Sequence, residues 1–349
     1  MEHLLFLGDL FYDYEEVADD IVAMSRWIKK NDFATIINME GAIKSMVGTP
    51  IKKRGPNLAS TQKIVEVLKL LNVKGVCLSN NHTMDFGPEA LEMTLQILRD
   101  NNILYCGAGS SIEEALVPMR FELNGEKISI LNFGWDVEET VYATYDKAGC
   151  APRVDEIILN AAKKEVDCGR EAIVCLHWGF EYNRLPMPLD IELAHKLIDI
   201  GVERIIGHHP HCVQPKEKYK EKYIYYSLGN FYFSGQRASF KKKFHERIAN
   251  QSDYGVLVSY PETQNNEYTV EYSHNEDKSR IIQENLVLED ISEVDYRSRA
   301  YYRQANKRKM NHNPILTLNH NINKVKLDLL FGLYATKRIV KKILIRNKR

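Results

Sequence analysis

Short apolar runs alternate with amphipathic stretches along most of this chain, and this alternation constrains the fold more than any other feature. The runs with the length of strands are residues 3–7, 33–38, 74–79, 128–133, 172–177, 204–207 and 223–228. The stretches with helical spacing are residues 15–30, 61–71, 88–101, 154–166 and 188–200. Pro88 and Pro188 suit the first turn of a helix. Strands that alternate with helices are typical of an α/β protein.

Two hairpin signals add antiparallel pairs to this pattern. Asn124-Gly125 separates residues 119–123 from 127–131, and residues 254–260 pair in the same way with 267–272. We therefore expect mixed rather than purely parallel sheets.

The composition changes after about residue 278, where Lys, Arg, Asn and Tyr become frequent and turn signals become few. We expect a main domain over residues 1–278 and a basic, mostly helical extension over 279–349. Residues 326–349 mix apolar and basic side chains, a pattern that fits either a helix packed on the main domain or contact with an anionic membrane surface.

The balance of charges and cysteines narrows the classes of function. The 47 Lys and Arg residues equal the 47 Asp and Glu residues, so no basic excess indicates nucleic-acid binding. The 6 cysteines form no C-x-x-C pair, and the first residues lack a signal-peptide pattern. No apolar run reaches the roughly 18 residues of a membrane span. We expect a cytoplasmic protein, soluble or peripheral at the inner face of the membrane.

The segment 207–214, with sequence GHHPHCVQ, carries the strongest chemical signal. In an extended segment, His209 and His211 point to the same side, while His208 points away. Two imidazoles on one side suit a metal ion. The alternative is a surface histidine cluster at the end of a strand.

A second signal, LSNNHTMDFG, follows an apolar run and precedes a helix. In open α/β architectures this edge of the sheet is where ligands bind. Asn81 is a candidate metal ligand, and His82 is a candidate general acid that protonates a leaving oxygen. The alternative is an Asn-rich turn that caps the helix.

Other polar residues also follow predicted strands. His177 suits a metal ligand, and Glu181, four residues later, suits a contact to substrate. Asp9 and Glu40 follow the first two strands and supply oxygen donors, although Gly-Asp is often only a turn. Asn230 ends a further strand, where it would support the site, hold substrate or form a simple turn.

These positions become informative when they are taken together. The predicted metal ligands, each at the end of a strand, are Asp9, Glu40, Asn81, His177, His209 and His211. Imidazoles combined with carboxylates suit one or two divalent ions of Mn, Zn or Fe. Such a centre would support metal-assisted hydrolysis of a phosphoester, with His82 as the acid.

In chain order, the motifs GD, NxEG, NNHxxDxG, HWGxEY, GHHPHxxQ and YSLGNF resemble the signature of the CapA capsule-synthesis family over roughly residues 3–260. The resemblance implies a calcineurin-like metallophosphatase fold, a four-layer sandwich in which helices flank two mixed sheets. It also implies a role in making capsular poly-γ-glutamate or a related surface polymer. The partners expected are a phosphorylated or anionic polymer-related substrate and other capsule-synthesis proteins.

Matching the motifs position by position, we assign His82 and Asp85 as catalytic residues. The residues assigned to substrate binding are His208, Glu181, Gln214 and Asn230. The first motif departs from the wider phosphoesterase pattern, because Phe11 stands where a D-x-H sequence has a histidine. The second departs too, because Asn38-Met39-Glu40 replaces a Gly-Asp pair.

Three hypotheses follow from the sequence. The first is a metal-dependent phosphoester hydrolase, and the second is a non-catalytic accessory or polymer-binding protein with the same fold. The third is an activity on γ-linked amide bonds. The sequence has no G-x-x-x-x-G-K-[ST] nucleotide loop, which argues against an ATP-driven ligase in this chain.

Overall fold

The structure is a computed structural model that describes residues 3–44, 47–53, 55–134, 140–234, 254–261, 267–273, 278–282, 288–298, 300–301 and 305. Its strands are β1 (His3–Phe11), β2 (Phe33–Met39), β3 (Ala42–Ile43), β4 (Ala59–Ser60), β5 (Val73–Cys77), β6 (Leu104–Cys106), β7 (Ala108–Gly109), β8 (Met119–Leu123), β9 (Glu126–Gly134), β10 (Gly149–Cys150), β11 (Glu171–His177), β12 (Arg204–His208), β13 (Lys216–Tyr219), β14 (Lys222–Tyr225), β15 (Asn230–Phe233), β16 (Tyr254–Tyr260), β17 (Glu267–Ser273) and β18 (Lys278–Ile282). Its helices are α1 (Asp19–Lys30), α2 (Ile64–Leu70), α3 (Gly87–Asp100), α4 (Ile112–Ala115), α5 (Asp155–Asp167) and α6 (Pro188–Asp199).

The first sheet has the strand order β18-β17-β16-β1-β2-β5-β6, and β15 also pairs with β1. β1, β2, β5 and β6 run parallel, whereas β16, β17 and β18 extend the sheet by antiparallel pairing. One edge of β1 is shared, because β16 pairs with its first half and β15 with its last three residues. On its other edge β1 pairs in parallel with β2, so the carboxyl ends of these two strands lie side by side.

The second sheet has the order β13-β14-β12-β11-β9-β8. Its centre, β9, β11, β12 and β14, is parallel, and β8 and β13 are antiparallel edges. Both predicted hairpins, β8 with β9 and β16 with β17, are confirmed as antiparallel pairs. The sheets are mixed, as the sequence predicts.

Alternate residues of β1 enter two different cores. Leu5 and Leu7 pack with buried residues of α1, α2 and α3, whereas Leu4 and Phe6 pack against residues of the second sheet. α5 contacts β9 and β11 of that second sheet. A strand that is buried on both faces needs apolar side chains at every position, which explains the continuous apolar runs. The predicted α/β arrangement of two mixed sheets with flanking helices is confirmed.

Some predicted boundaries are wrong. The helix predicted to start at residue 15 begins at Asp19, after Ala18 adopts an extended backbone and donates its N–H to the Tyr12 hydroxyl. The strand predicted over residues 223–228 ends at Tyr225, and Asn230 begins β15 instead of ending a strand. Gly229 lies between them with a φ of 69°, outside the strand region of backbone conformation.

The chain divides into a compact unit, Met1–Ala305, and a second unit, Asn306–Arg349. The boundary predicted after residue 278 falls inside β18, which pairs with β17. Further along, Lys216 forms a bridge with Asp290, and the Tyr301 hydroxyl donates to the Pro186 carbonyl oxygen. The rest of the predicted extension, residues 306–349 with the basic segment 326–349, lies outside the described residues. Within the described part of the chain, no helix is both long and apolar enough to cross a membrane.

Candidate metal centre

Asp9 lies within β1, between two shifts of register. The pairing with β2 shifts just before Asp9, and the pairing with β15 shifts just after it. Leu7 pairs with Ile37 and Asp9 with Asn38, so Gly8 is the extra residue of a bulge. A side chain at Gly8 would meet the Gly229 carbonyl oxygen at 2.1 Å, so only glycine allows this approach. The Gly-Asp pair is therefore a bulge and not a turn. Bulges often re-aim a side chain beside a site, and here Asp9 is fully buried.

Glu40 follows β2 directly and is also fully buried. Its backbone N–H donates to the Leu10 carbonyl oxygen at 2.8 Å, which ties the end of β2 to β1. Two residues earlier, the Asn38 amide donates to Oδ1 of Asp9 at 2.8 Å. Asn38 was not among the predicted site residues, although the NxEG motif contains it and strand alternation places it on the same face as Glu40.

His177 is the last residue of β11 and comes from the second sheet. Its Nε2 lies 3.0 Å from Oδ1 of Asn81, and its Nδ1 lies 3.4 Å from Nδ2 of Asn38. The turn that carries Asn81 is held by its neighbour Asn80, whose amide donates to the Met39 carbonyl oxygen at 2.8 Å. The Asn-rich turn is thus real, and it presents Asn81 to His177.

The GHHPH segment is not extended throughout, contrary to the prediction from its sequence. His209 has a φ of 96° and His211 a φ of 53°, so side chains no longer alternate between two faces. The prediction that His208 points away is wrong, since its Nδ1 lies 3.0 Å from Oδ1 of Asp9. The backbone N–H of His209 donates to Oδ2 of the same carboxylate at 3.2 Å. The segment wraps around Asp9.

The remaining distances complete the cluster. Nε2 of His211 lies 4.0 Å from Oε2 of Glu40, and the ring centroids of His177 and His209 are 4.7 Å apart. One donor atom each from Asp9, Glu40 and His177 lies within 4.8 Å of the other two. The structure thus brings together all six predicted metal ligands where the strand ends of the two sheets meet.

Burial and neighbouring polar groups together shift the pKa values of these residues. It lowers the pKa of His209 to about 3, with a further contribution from His211, and it lowers the pKa of His177 well below its ordinary value. Burial alone would raise the pKa of Asp9, but the hydrogen bond and charge of His208, together with His211 and Asn38, lower it overall. At neutral pH, His177 and His209 are therefore neutral and Asp9 is ionised, the forms in which these side chains bind metals.

The donor set fits a divalent cation. Asp9 and Glu40 are fully buried carboxylates within 4.8 Å of each other, an arrangement that a cation would stabilise. Nδ1 of His209 is buried, and no residue in the described part of the chain provides it with a hydrogen-bond partner. Neutral imidazole and carboxylate donors suit Zn, Mn or Fe. Phe11, which stands at the histidine position of the D-x-H sequence, packs on Phe233 with the ring centroids 5.3 Å apart.

Beside this cluster, His82 and Asp85 form a buried pair. Nδ1 of His82 lies 2.7 Å from Oδ2 of Asp85, which also accepts the Leu58 N–H at 2.7 Å. A third residue, Lys53, was not predicted. Its side chain is fully buried, and Nζ lies 2.5 Å from Oδ1 of Asp85 and 3.0 Å from Nδ1 of His82. Nothing in the sequence distinguishes Lys53 from the exposed Lys52.

The residues assigned to substrate binding have different surroundings. His208 is buried against Asp9, and Asn230 places Oδ1 2.8 Å from Nδ1 of His211. The Gln214 amide donates to the Asn183 carbonyl oxygen at 2.7 Å and holds the loop that follows β11. Glu181 lies in that loop and is partly exposed.

Comparison with known proteins gives a family match and several relatives. The sequence model of the family described as bacterial capsule synthesis protein PGA_cap matches residues 3–235. The PGA biosynthesis protein CapA of Bacillus subtilis is 34% identical over 181 residues, which cover 51% of this chain and 47% of that protein. A probable polyglutamine synthesis accessory protein of Mycobacterium tuberculosis is 30% identical over 177 residues, which cover 48% of this chain and 47% of that protein. The chain spans about half the length of the curated relatives it matches.

Two solved structures also align with the chain. One is the NAD nucleotidase of Haemophilus influenzae, with a TM-score of 0.46 and 13% identity over 80% of this chain and 49% of that one. The other is a 5'-nucleotidase precursor of Thermus thermophilus, with a TM-score of 0.45 and 13% identity over 89% of this chain and 59% of that one.

Proposed function

The chain belongs to the bacterial capsule synthesis protein family, and from this premise we propose that it is a metal-dependent phosphoester hydrolase. It would act in the biosynthesis of capsular poly-γ-glutamate or a related surface polymer, the process for which its Bacillus subtilis relative is named. The observation that carries the proposal is the convergence of Asp9, Glu40 and His177 beside a His–Asp pair. A metal centre with a neighbouring proton donor is what phosphoester hydrolysis requires.

The residues that would hold one or two divalent ions are Asp9, Glu40, Asn81, His177, His209 and His211. When bound, such a cation supplies Lewis-acid chemistry that neutralises negative charge on a phosphoryl group. Asp85 accepts a hydrogen bond from Nδ1 of His82 and orients the ring. His82 then gives a proton to the leaving oxygen as the phosphorus–oxygen bond breaks. His208 and Asn38 hold the Asp9 carboxylate in place.

The substrate that fits this chemistry is a phosphorylated or otherwise anionic intermediate of the polymer. We also propose that the chain works with other capsule-synthesis proteins, because its family and its Bacillus subtilis relative are named for the synthesis of a polymer, which a hydrolase does not carry out by itself.

A second candidate function is that of a non-catalytic accessory protein. Phe11 supports it, because a buried phenyl ring at this place provides no metal donor and leaves the centre with fewer ligands. The Mycobacterium relative, named as a probable polyglutamine synthesis accessory protein, points the same way.

Elemental analysis and a substrate panel distinguish the two functions. The hydrolase should contain Mn, Zn or Fe in a fixed ratio to protein and cleave 4-nitrophenyl phosphate or its bis-ester. The accessory protein should contain little metal and cleave neither ester.

A His82→Gln variant tests the proton donor. On phenyl phosphate, whose leaving oxygen is basic and needs a proton, we expect kcat to fall by about 10²- to 10⁴-fold, the usual contribution of a general acid, while the metal content stays unchanged. His195→Gln is the matched control, because His195 pairs with Glu217 and is not among the residues of the centre. Equal activity in the two variants would show that His82 is not the acid.

A further inference from the structure

Lys53 is an unusual residue for a protein interior. Lysine is almost never fully buried unless its charge is paired, yet none of the Lys53 side chain is exposed. Its ammonium group touches Oδ1 of Asp85 at 2.5 Å, Nδ1 of His82 at 3.0 Å and the Asn81 carbonyl oxygen at 3.3 Å. All three contacts are on the turn that carries the proposed proton donor.

The contacts of Asp85 show what the ammonium does. One carboxylate oxygen contacts Lys53, and the other contacts His82 and accepts the Leu58 N–H. A buried carboxylate without a cation is costly, so Lys53 lets Asp85 remain beside His82 in this setting. While the Nδ1–H of His82 donates to Asp85, the Lys53 ammonium cannot donate to the same nitrogen, so its favourable contacts are those with the Asp85 carboxylate and the Asn81 carbonyl oxygen. Lys53 therefore acts on the imidazole through Asp85.

We propose that Lys53 is a positioning residue for proton transfer by His82, an inference that rests on the proposed hydrolase function. Because Asp85 occupies the Nδ1 edge, Nε2 is the nitrogen that gives its proton to the leaving group. Water attacks phosphorus, the bond to the leaving oxygen breaks with its electron pair on that oxygen, and Nε2 supplies the proton. The attacking water releases a proton to solvent, and His82 recovers one from solvent.

Leaving-group chemistry separates this role from a structural one. A 4-nitrophenolate leaves readily without a proton, whereas phenolate, a much stronger base, depends on the acid. Loss of positioning should therefore affect phenyl phosphate more than 4-nitrophenyl phosphate. A defect in folding or metal content would reduce both rates by the same factor.

The experiment compares Lys53→Met with Lys52→Met, its exposed neighbour, in the full chain loaded with Mn²⁺. For Lys53→Met we expect kcat to fall about 10²-fold on phenyl phosphate and less than about 10-fold on 4-nitrophenyl phosphate. KM should stay within about twofold, since the contact acts on the transition state. Lys52→Met should match the wild type on both esters.

Lys53→Gln is the second variant, because its amide still donates a hydrogen bond but carries no charge; it decides the question if Lys53→Met does not fold. An equal loss on both esters in the folded variant would overturn the positioning role while leaving the hydrolase intact. If the wild-type protein with Mn²⁺ cleaves neither ester, the proposed function fails, and the positioning role fails with it.

Discussion

An Asp9→Asn variant should lose both its bound metal and its hydrolytic activity. Asp9 is the carboxylate that the site is built around, since it contacts His208, the Asn38 amide and the His209 backbone N–H. The substitution removes the negative charge and one acceptor oxygen from a fully buried position. We expect kcat/KM to fall by about 10³-fold or more, equivalent to roughly 4 kcal/mol of transition-state stabilisation.

Asp100→Asn is the matched control, because it makes the same change of charge away from the cluster. Asp100 is an exposed residue at the end of α3. Metal content should be measured by elemental analysis and folding by circular dichroism on the same preparations. If the folded Asp9→Asn protein keeps both its metal and its activity, Asp9 is not a ligand.

Binding of metal should also stabilise the fold. Asp9 and Glu40 place two carboxylates within 4.8 Å of each other in the protein interior, so their mutual repulsion is relieved by a cation. At a free Mn²⁺ concentration of 100 times Kd, the free energy of unfolding should rise by about 2.7 kcal/mol. For a domain of this size, that corresponds to a rise in Tm of roughly 4 °C.

Thermal unfolding of the metal-free protein, followed by circular dichroism during a Mn²⁺ titration, measures this effect. Asp9→Asn serves as the control, because it should show little of the shift. An equal shift in the wild type and the variant would mean that Mn²⁺ acts elsewhere on the protein.

The sequence predicts the site well where a local pattern determines the geometry. Strands β2, β11 and β12 are largely apolar runs. Glu40 follows β2 directly, His177 ends β11, and β12 leads into the GHHPH segment. Parallel strands carry their carboxyl ends to one edge, so polar residues at those ends are expected to meet. This predicts which residues gather at the edge of each sheet, whereas the meeting of Glu40 from the first sheet with His177 from the second depends on how the two sheets pack.

The sequence does not predict features that depend on tertiary contact. His209 and His211 adopt left-handed backbone conformations that no local pattern required of them, so strand alternation does not describe this segment, and His208 faces Asp9. The Gly8 bulge depends on the approach of Gly229, more than two hundred residues away. Lys53 is buried only because a turn distant in sequence brings Asp85 to it. Such contacts are properties of the folded chain.

The central claim is that this cluster is a metal-dependent hydrolytic centre. The most direct test is to remove metal with a chelator, dialyse the chelator away and measure hydrolysis of 4-nitrophenyl phosphate while Mn²⁺ is added. We predict negligible activity without metal, saturable activation by Mn²⁺, and no activation of Asp9→Asn under the same conditions. Hydrolysis that continues at full rate in the metal-free protein, or no hydrolysis at saturating Mn²⁺, Zn²⁺ or Fe²⁺, would contradict the claim.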